Sequence, residues 1–367
     1  MIHGHGGNIY RLAEQLGCRP DQIIDMSSNV NPLGPMPRLL EHLRHNLEAI
    51  TALPQVDAAG AVTALAGSWN VPAERLLAAN GTTHFIYCLP VALGLGRVLI
   101  CGPTYADYAD GCRCWNVACE HLAADPEDDF APCLDKIDSL AAKVDAVYIC
   151  NPNNPTGRLV RAARLAELAG RHRRTLFIVD QSYLPFVVGA EAESLTGTGL
   201  SNVIVLHSMS KIFRVPGLRI GFLEAAPEIT RKVARFVQPW SVNSLAQETV
   251  RWLAGHQDQV ADFIDRCRQY CRRQRREISR LLAAEGSIDI FPSTTSFILC
   301  RLPSGASARW LCRQLARERI LIRNCDNFQG LDERYFRLSL KSEALNRKVA
   351  GQIATLVRKR LQQGGQS

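Results

Sequence analysis

Ala146-Val147-Tyr148-Ile149-Cys150-Asn151-Pro152-Asn153-Asn154-Pro155-Thr156-Gly157 is an apolar run that breaks abruptly into amides, prolines and a glycine. Five consecutive apolar residues closed by turn formers predict a strand buried on both faces. The next stretch, 159–171, has helical spacing. The alternation continues through Thr175-Leu176-Phe177-Ile178-Val179 and Val203-Ile204-Val205-Leu206, with Arg97-Val98-Leu99-Ile100 upstream. Strands alternating with helices over roughly 75–225 predict an α/β fold, a mostly parallel sheet flanked by helices on both faces.

Beyond that region the rhythm changes. A basic run, Arg266-Cys267-Arg268-Gln269-Tyr270-Cys271-Arg272-Arg273-Gln274-Arg275-Arg276, continues to Leu282 with helical periodicity. Strand candidates follow at 288–302, 320–323 and 335–340, with helices at 308–317 and 343–361, which predicts a smaller α+β domain. The first 45 residues offer a helix near 8–16 and an extended Pro-rich segment, expected to pack on that smaller domain. The predicted organisation is therefore 1–45, a large domain over 46–260 and a small one over 261–367. A length of 367 residues suits it, at roughly 100 to 200 per domain.

Hydrophobic residues at 47% and charged residues at 21% exclude a disordered, collagen-like or coiled-coil chain. The most apolar stretch, 88–102, is interrupted by Arg97, and no membrane span is expected. The opening Met1-Ile2-His3-Gly4-His5-Gly6-Gly7 is not a secretory signal, so the cytoplasm is the expected location. Thirteen cysteines, an odd count without a CxxC pair, argue for reduced thiols. Cys112, Cys114 and Cys119, near His121, fit no common metal pattern and read as packing thiols; no metal is expected. The net charge of +8 could serve nucleic acid or a small anion. No nucleic-acid module accompanies the arginines, which read as a solvated helix face, so no nucleic-acid partner is expected.

In open α/β sheets, ligands bind beyond the carboxyl ends of the strands. Three exits carry reactive groups here: Asn151 to Gly157, then Asp180-Gln181-Ser182-Tyr183, then His207-Ser208-Met209-Ser210-Lys211. An amide, a carboxylate and a lysine could surround a ring whose nitrogen must stay protonated and whose carbonyl must be held covalently. Pyridoxal phosphate is such a ring, and Asp180 and Lys211 suit those two roles.

These three segments, above all Ser208-Met209-Ser210-Lys211-Ile212-Phe213-Arg214-Val215-Pro216-Gly217-Leu218-Arg219-Ile220-Gly221, resemble the fold-type I pyridoxal-phosphate enzymes of the aminotransferase class. The resemblance implies that Lys211 binds the cofactor covalently, that Asp180 pairs with its ring nitrogen, and that Asn154 and Tyr183 bond its 3'-oxygen. It also implies a homodimer with its active sites at the subunit interface. Asn80-Gly81-Thr82-Thr83-His84, opening a helix at Phe85, offers N–H groups at the positive end of a helix dipole. Gly81, Thr82 and Thr83, with Ser208, Ser210 and Arg219, match the family's phosphate ligands, and Tyr105 matches its ring-stacking aromatic.

His5-Gly6-Gly7-Asn8, Ser27-Ser28-Asn29-Val30-Asn31-Pro32-Leu33-Gly34, Pro239-Trp240-Ser241-Val242-Asn243 and Ile320-Leu321-Ile322-Arg323-Asn324-Cys325 resemble the threonine-phosphate decarboxylases of cobalamin biosynthesis. The histidinol-phosphate aminotransferases are the alternative, and a catalytically silent relative used as a binding module is the third reading. The resemblance implies that His5, Asn29, Arg323 and Arg337 hold a substrate phosphate, a task suited to guanidinium forks. Two departures stand out. Ala52-Leu53-Pro54-Gln55 occupies the place of Arg-Tyr-Pro-Asp, whose tyrosine reaches the neighbouring subunit's cofactor phosphate, and Gln181-Ser182 replaces the usual Glu-Ala.

Overall fold

The computed structural model describes residues 6–284 and 287–364. The first strand, β1 (Ile24–Asp25), stands apart from the main sheet, which is built from β2 (Leu76–Ala79), β3 (Arg97–Gly102), β4 (Ala118–Ala123), β5 (Ala146–Cys150), β6 (Leu176–Asp180), β7 (Val203–Ser208) and β8 (Gly221–Glu224). Their spatial order is β2-β8-β7-β6-β5-β3-β4. The run from β7 to β4 is parallel, and β8 is antiparallel to both of its neighbours. All five residues of β5 are buried, as a strand covered on both faces requires.

Alternation along the strands divides the core. Leu99, Val147, Phe177 and Val205 face one layer, where the helix Ala162–Arg171 buries Ala162, Leu165, Leu168 and Ala169 at helical spacing. Val98, Tyr148, Ile178 and Ile204 face the other layer. The fold is thus a fold-type I, aminotransferase-like α/β fold.

A second sheet of four strands has the order β12-β13-β10-β9, from β9 (Asp289–Ile290), β10 (Phe297–Arg301), β12 (Arg323–Asn324) and β13 (Tyr335–Ser339); β11 (Ile320–Leu321) instead pairs in parallel with β1. Thus the N-terminal segment is stitched to the C-terminal region through a two-stranded sheet. The helix Gln257–Ala283 runs across the 260/261 boundary predicted between the large and small domains.

Several expected elements differ. The single strand predicted over 288–302 is two, because residues 292–296 leave the ladder: Pro292 has no N–H to give, and Ser293 Oγ donates to Phe297 O at 2.6 Å and accepts from Thr295 N at 3.1 Å. The predicted strand 320–323 is likewise divided, its halves pairing with different sheets. Pro37–His45 is a helix where an extended N-terminal segment was expected to continue; Pro37 stands in its first turn, where a missing N–H costs nothing. The predicted helix at 8–16 is Ile9–Leu16, with the Asn8 side chain accepting from Arg11 N. The helix expected to open at Phe85 begins at Thr82.

Candidate active site

The exits of β5, β6 and β7 lie side by side, because these strands are adjacent and parallel. One cavity is lined by Gly81, Thr82, Thr83, Tyr105, Tyr108, Cys150, Asn154, Asp180, Ser182, Tyr183, Ser208, Ser210, Lys211 and Arg219. It contains every residue that the sequence assigned to the cofactor.

Asp180 ends β6 and is buried. Burial pushes its pKa up, while bonds from Ser182 and Tyr108 and the charge of Lys211 resist that rise. Tyr108 Oη donates to Asp180 Oδ2 at 2.9 Å, and Ser182 N donates to Oδ1 at 2.9 Å. Lys211, in the short helix Met209–Ile212 after β7, has its pKa lowered by burial and by Arg219 and Arg337, against the pull of Asp180 and Asp107. Its amine gives up a proton more readily than a lysine in water.

Asn154 sits in a loop fixed by its neighbour. Asn153 donates to Pro103 O at 2.8 Å and Thr156 Oγ1 at 2.9 Å, and accepts from Thr104 Oγ1 at 2.7 Å. The Asn154 Oδ1 accepts from Arg337 Nη1. Tyr183 packs edge-on against Phe297, its hydroxyl accepting from Asn29 Nδ2 at 3.3 Å; Tyr105 packs edge-on against Tyr108.

The opposite end of the cavity is a cradle at the N-terminus of the helix Thr82–Ala92. Gly81 has φ of 79°, which favours glycine, and a Cβ there would come within 2.5 Å of Arg219 Nη2 and push that guanidinium aside. The helix start, Ser208, Ser210 and Arg219 line this end of the cavity together, an arrangement suited to an anion.

A second cavity opens from the first and is lined by Gly6, Ser27, Asn29, Arg323, Phe328 and Arg337 among others. Pairing places Arg323 opposite Arg337 on β12 and β13. Arg337 is buried; its Nη2 donates to Ser27 O at 2.7 Å, and its Nε has no hydrogen-bond partner. Arg323 lies over the Phe328 ring and donates to Asn327 Oδ1 at 2.6 Å. His5 lies outside the described residues. Cys112 is buried, Cys119 half-buried and Cys114 exposed, and among the described residues no group of His, Cys, Asp and Glu could hold a metal.

Sequence reasoning missed Tyr108, Asp25, Ser339 and Lys341. Tyr108 lies three residues after Tyr105, at the start of the helix Asp107–Cys114, and this nearness in sequence could have flagged it. Ser339 Oγ donates to Asn29 Oδ1 at 2.6 Å; it lies two residues after Arg337 on one strand face, which is also a readable period.

A family model described as aminotransferase class I and II matches residues 21–353. The chain belongs to that family. It is 31% identical to the threonine-phosphate decarboxylase of Salmonella typhimurium over 96% of each chain. It is 26% identical to the adenosylcobalamin biosynthesis bifunctional protein CobDQ of Leptospira interrogans, covering 94% of this chain and 40% of that longer one. Among solved structures, L-threonine-O-3-phosphate decarboxylase from Porphyromonas gingivalis matches with a TM-score of 0.78 at 29% identity, over 89% of this chain and 100% of that one. Histidinol-phosphate aminotransferase from Clostridium acetobutylicum matches with 0.84 at 25%, over 92% and 100%. The family uses pyridoxal 5'-phosphate.

The residues present fit that group. They offer a lysine whose charge is disfavoured, a buried carboxylate, and a cradle that a Cβ at Gly81 would fill. Arg337 lines the second cavity, and its Nε is buried without a hydrogen-bond partner.

Proposed function

We propose that this chain is a pyridoxal-phosphate-dependent decarboxylase of L-threonine O-3-phosphate, yielding 1-amino-2-propanol O-2-phosphate for the nucleotide loop of a cobamide. The observation that carries the reading is the buried Arg337, whose Nε is unpartnered beside Asn154 and Arg323, together with near-full-length similarity to a threonine-phosphate decarboxylase. A buried guanidinium with an unused donor is costly unless an anion completes it.

When bound, pyridoxal phosphate supplies a cationic ring that withdraws electrons from the α-carbon of an amino acid. Lys211 Nζ would hold the cofactor, and Asp180 would keep the proton on the ring nitrogen. Asn154 and Tyr183 would bond its 3'-oxygen, and Tyr105 would cover its face. Gly81, Thr82, Thr83, Ser208, Ser210 and Arg219 would hold its phosphate. Arg323, Arg337 and Asn29, with His5, would grip the substrate phosphate, which leaves the carboxylate free to stand where its bond to the α-carbon can break. Carbon dioxide would then leave with the bonding pair staying behind, and Lys211 as its ammonium, made more acidic by burial, would deliver a proton to the α-carbon.

The enzyme works as a homodimer in this reading. Leu47, Ile50, Leu53, Val56 and Trp240 are exposed apolar residues, and Trp240 N donates to Val56 O at 2.9 Å, which joins the two segments into one face for a second copy. Thirteen free cysteines accord with a reducing cytoplasm. No helix among the described residues is long and apolar enough to cross a membrane.

The second reading, an aminotransferase acting on histidinol phosphate, is favoured by the TM-score of 0.84 to such an enzyme. Parallel assays separate the two. Turnover of L-threonine O-3-phosphate without any 2-oxo acid supports the decarboxylase, whereas turnover of L-histidinol phosphate that requires 2-oxoglutarate supports the aminotransferase.

A further inference from the structure

Asp25 closes β1 just before the wall of the substrate cavity. Its carboxylate accepts from Ser27 N at 2.8 Å, Ser27 Oγ at 2.7 Å, Ser28 N at 3.1 Å and Ser28 Oγ. Four donors on one carboxylate fix the Ser27-Ser28 turn. The two carbonyls of that turn each receive a cation: Arg337 Nη2 donates to Ser27 O at 2.7 Å, and Lys341 Nζ donates to Ser28 O at 3.3 Å. Gly7 N donates to Ser27 Oγ at 2.7 Å, and a Cβ on Gly6 would come within 2.7 Å of Ser27 O, so residues 6–7 also lie against the turn.

Lys341 is buried just beyond β13. Its own backbone is fixed, since its N–H donates to Asn346 Oδ1 at 2.8 Å and Asn346 donates to Gln274 Oε1 at 2.8 Å. The charged groups that face the ammonium are Asp25 from β1, Arg214 from the loop after Lys211, and Arg337 from β13. Lys341 does not line the cavity, but the residue that receives it, Ser28, does.

We propose that Asp25 and Lys341 are positioning residues for the anion site: the carboxylate fixes the turn that seats Arg337, and the ammonium behind Ser28 adds its charge to the field that draws in the substrate phosphate. The proposal rests on the phosphate reading given above. A charge held in a poorly screened interior acts over several ångströms without contact. Asp25 keeps that charge from being lost to burial.

The pH dependence has a definite sign. Burial lowers the Lys341 pKa to about 8; Arg214 and Arg337 push the same way, and Asp25 resists. Lys341 is therefore charged below about pH 8, and its attraction for an anion fades as the pH rises through that value.

The test is calorimetric titration of the holoenzyme with inorganic sulfate, which keeps its double charge across the range used. In wild type, affinity falls roughly tenfold between about pH 7 and about pH 9.5. Lys341→Met binds weakly at both pH values, and Lys341→Arg keeps its affinity at the higher one. Asp25→Asn moves the fall to lower pH. Wild-type affinity and pH dependence in Lys341→Met overturn the proposal. So does a Lys341→Arg protein that loses affinity on the wild-type profile, a comparison that stands even if the methionine variant does not fold. A wild-type holoenzyme that releases carbon dioxide from threonine phosphate yet binds no sulfate also overturns this proposal and leaves the functional reading intact; absence of that turnover overturns the reading itself.

Discussion

At the scale of single residues, the state of Asp180 is set by burial and by Ser182, Tyr108 and Lys211, of which only Ser182 stands near it in sequence. Burial raises its pKa, and Ser182 and Tyr108 resist with hydrogen bonds. Tyr108→Phe removes a donor to the charged form, so the Asp180 pKa rises further. The acid limb of the kcat/KM profile then moves to higher pH; a limb that stays in place contradicts the role given to Asp180. Lys211→Ala is expected to abolish turnover, because no other amine lines the cavity. Activity above a few per cent of wild type would refute it. Arg337→Ala removes charge-assisted contacts worth about 1.5 to 3 kcal/mol, so kcat/KM for a phosphorylated substrate falls by at least roughly tenfold. Equal loss on unphosphorylated L-threonine would mean that Arg337 does not read the phosphate.

Elements explain why some of this was legible and some was not. β5, β6 and β7 are continuous apolar runs ended by polar residues, and a parallel sheet writes its exits directly into sequence. That Asn154, Asp180 and Lys211 share one cavity was therefore readable. Asp25 and Lys341 were not, since they meet across 316 positions where the segment after β1 lies against the end of β13, with Ser339 N donating to Met26 O and Lys341 Nζ to Ser28 O, contacts that no local pattern announces. The break within 288–302 could have been read, because Pro292 has no N–H to give a ladder, and Ser293 and Thr295 then turn the chain through side-chain bonds. The junction of β8 with the helix Thr82–Ala92 is the tightest place in the cradle. A Cβ on Gly221 would meet the Gly81-Thr82 backbone, which cannot yield as a flexible side chain can. Gly221→Ala should lower the melting temperature and speed cofactor release on dialysis. Unchanged values for both would show that the cradle can give way.

Over the whole molecule, the anion chemistry gathers where the N-terminal segment, the main sheet and the small sheet meet. Asn31 N donates to Lys211 O at 2.9 Å and Ser339 N donates to Met26 O at 2.8 Å, so one short stretch ties the lysine loop to β13. Leu53, 79% exposed, and Trp240, 51% exposed, carry the face on which the proposed homodimer would seat a second copy. Trp240→Asp together with Leu53→Asp should convert the dimer to a monomer in sedimentation, and a dimer unaffected by both changes would place the interface elsewhere. The central claim is that carbon dioxide, not a proton, leaves the α-carbon and that Lys211 supplies the proton that takes its place. Its most direct test is turnover of carboxyl-labelled L-threonine O-3-phosphate in deuterium oxide. The expected result is labelled carbon dioxide in step with aminopropanol phosphate carrying a single deuterium on the former α-carbon. Deuterium on an α-carbon that has kept its carboxylate, or an amino group passed to 2-oxoglutarate, would contradict it.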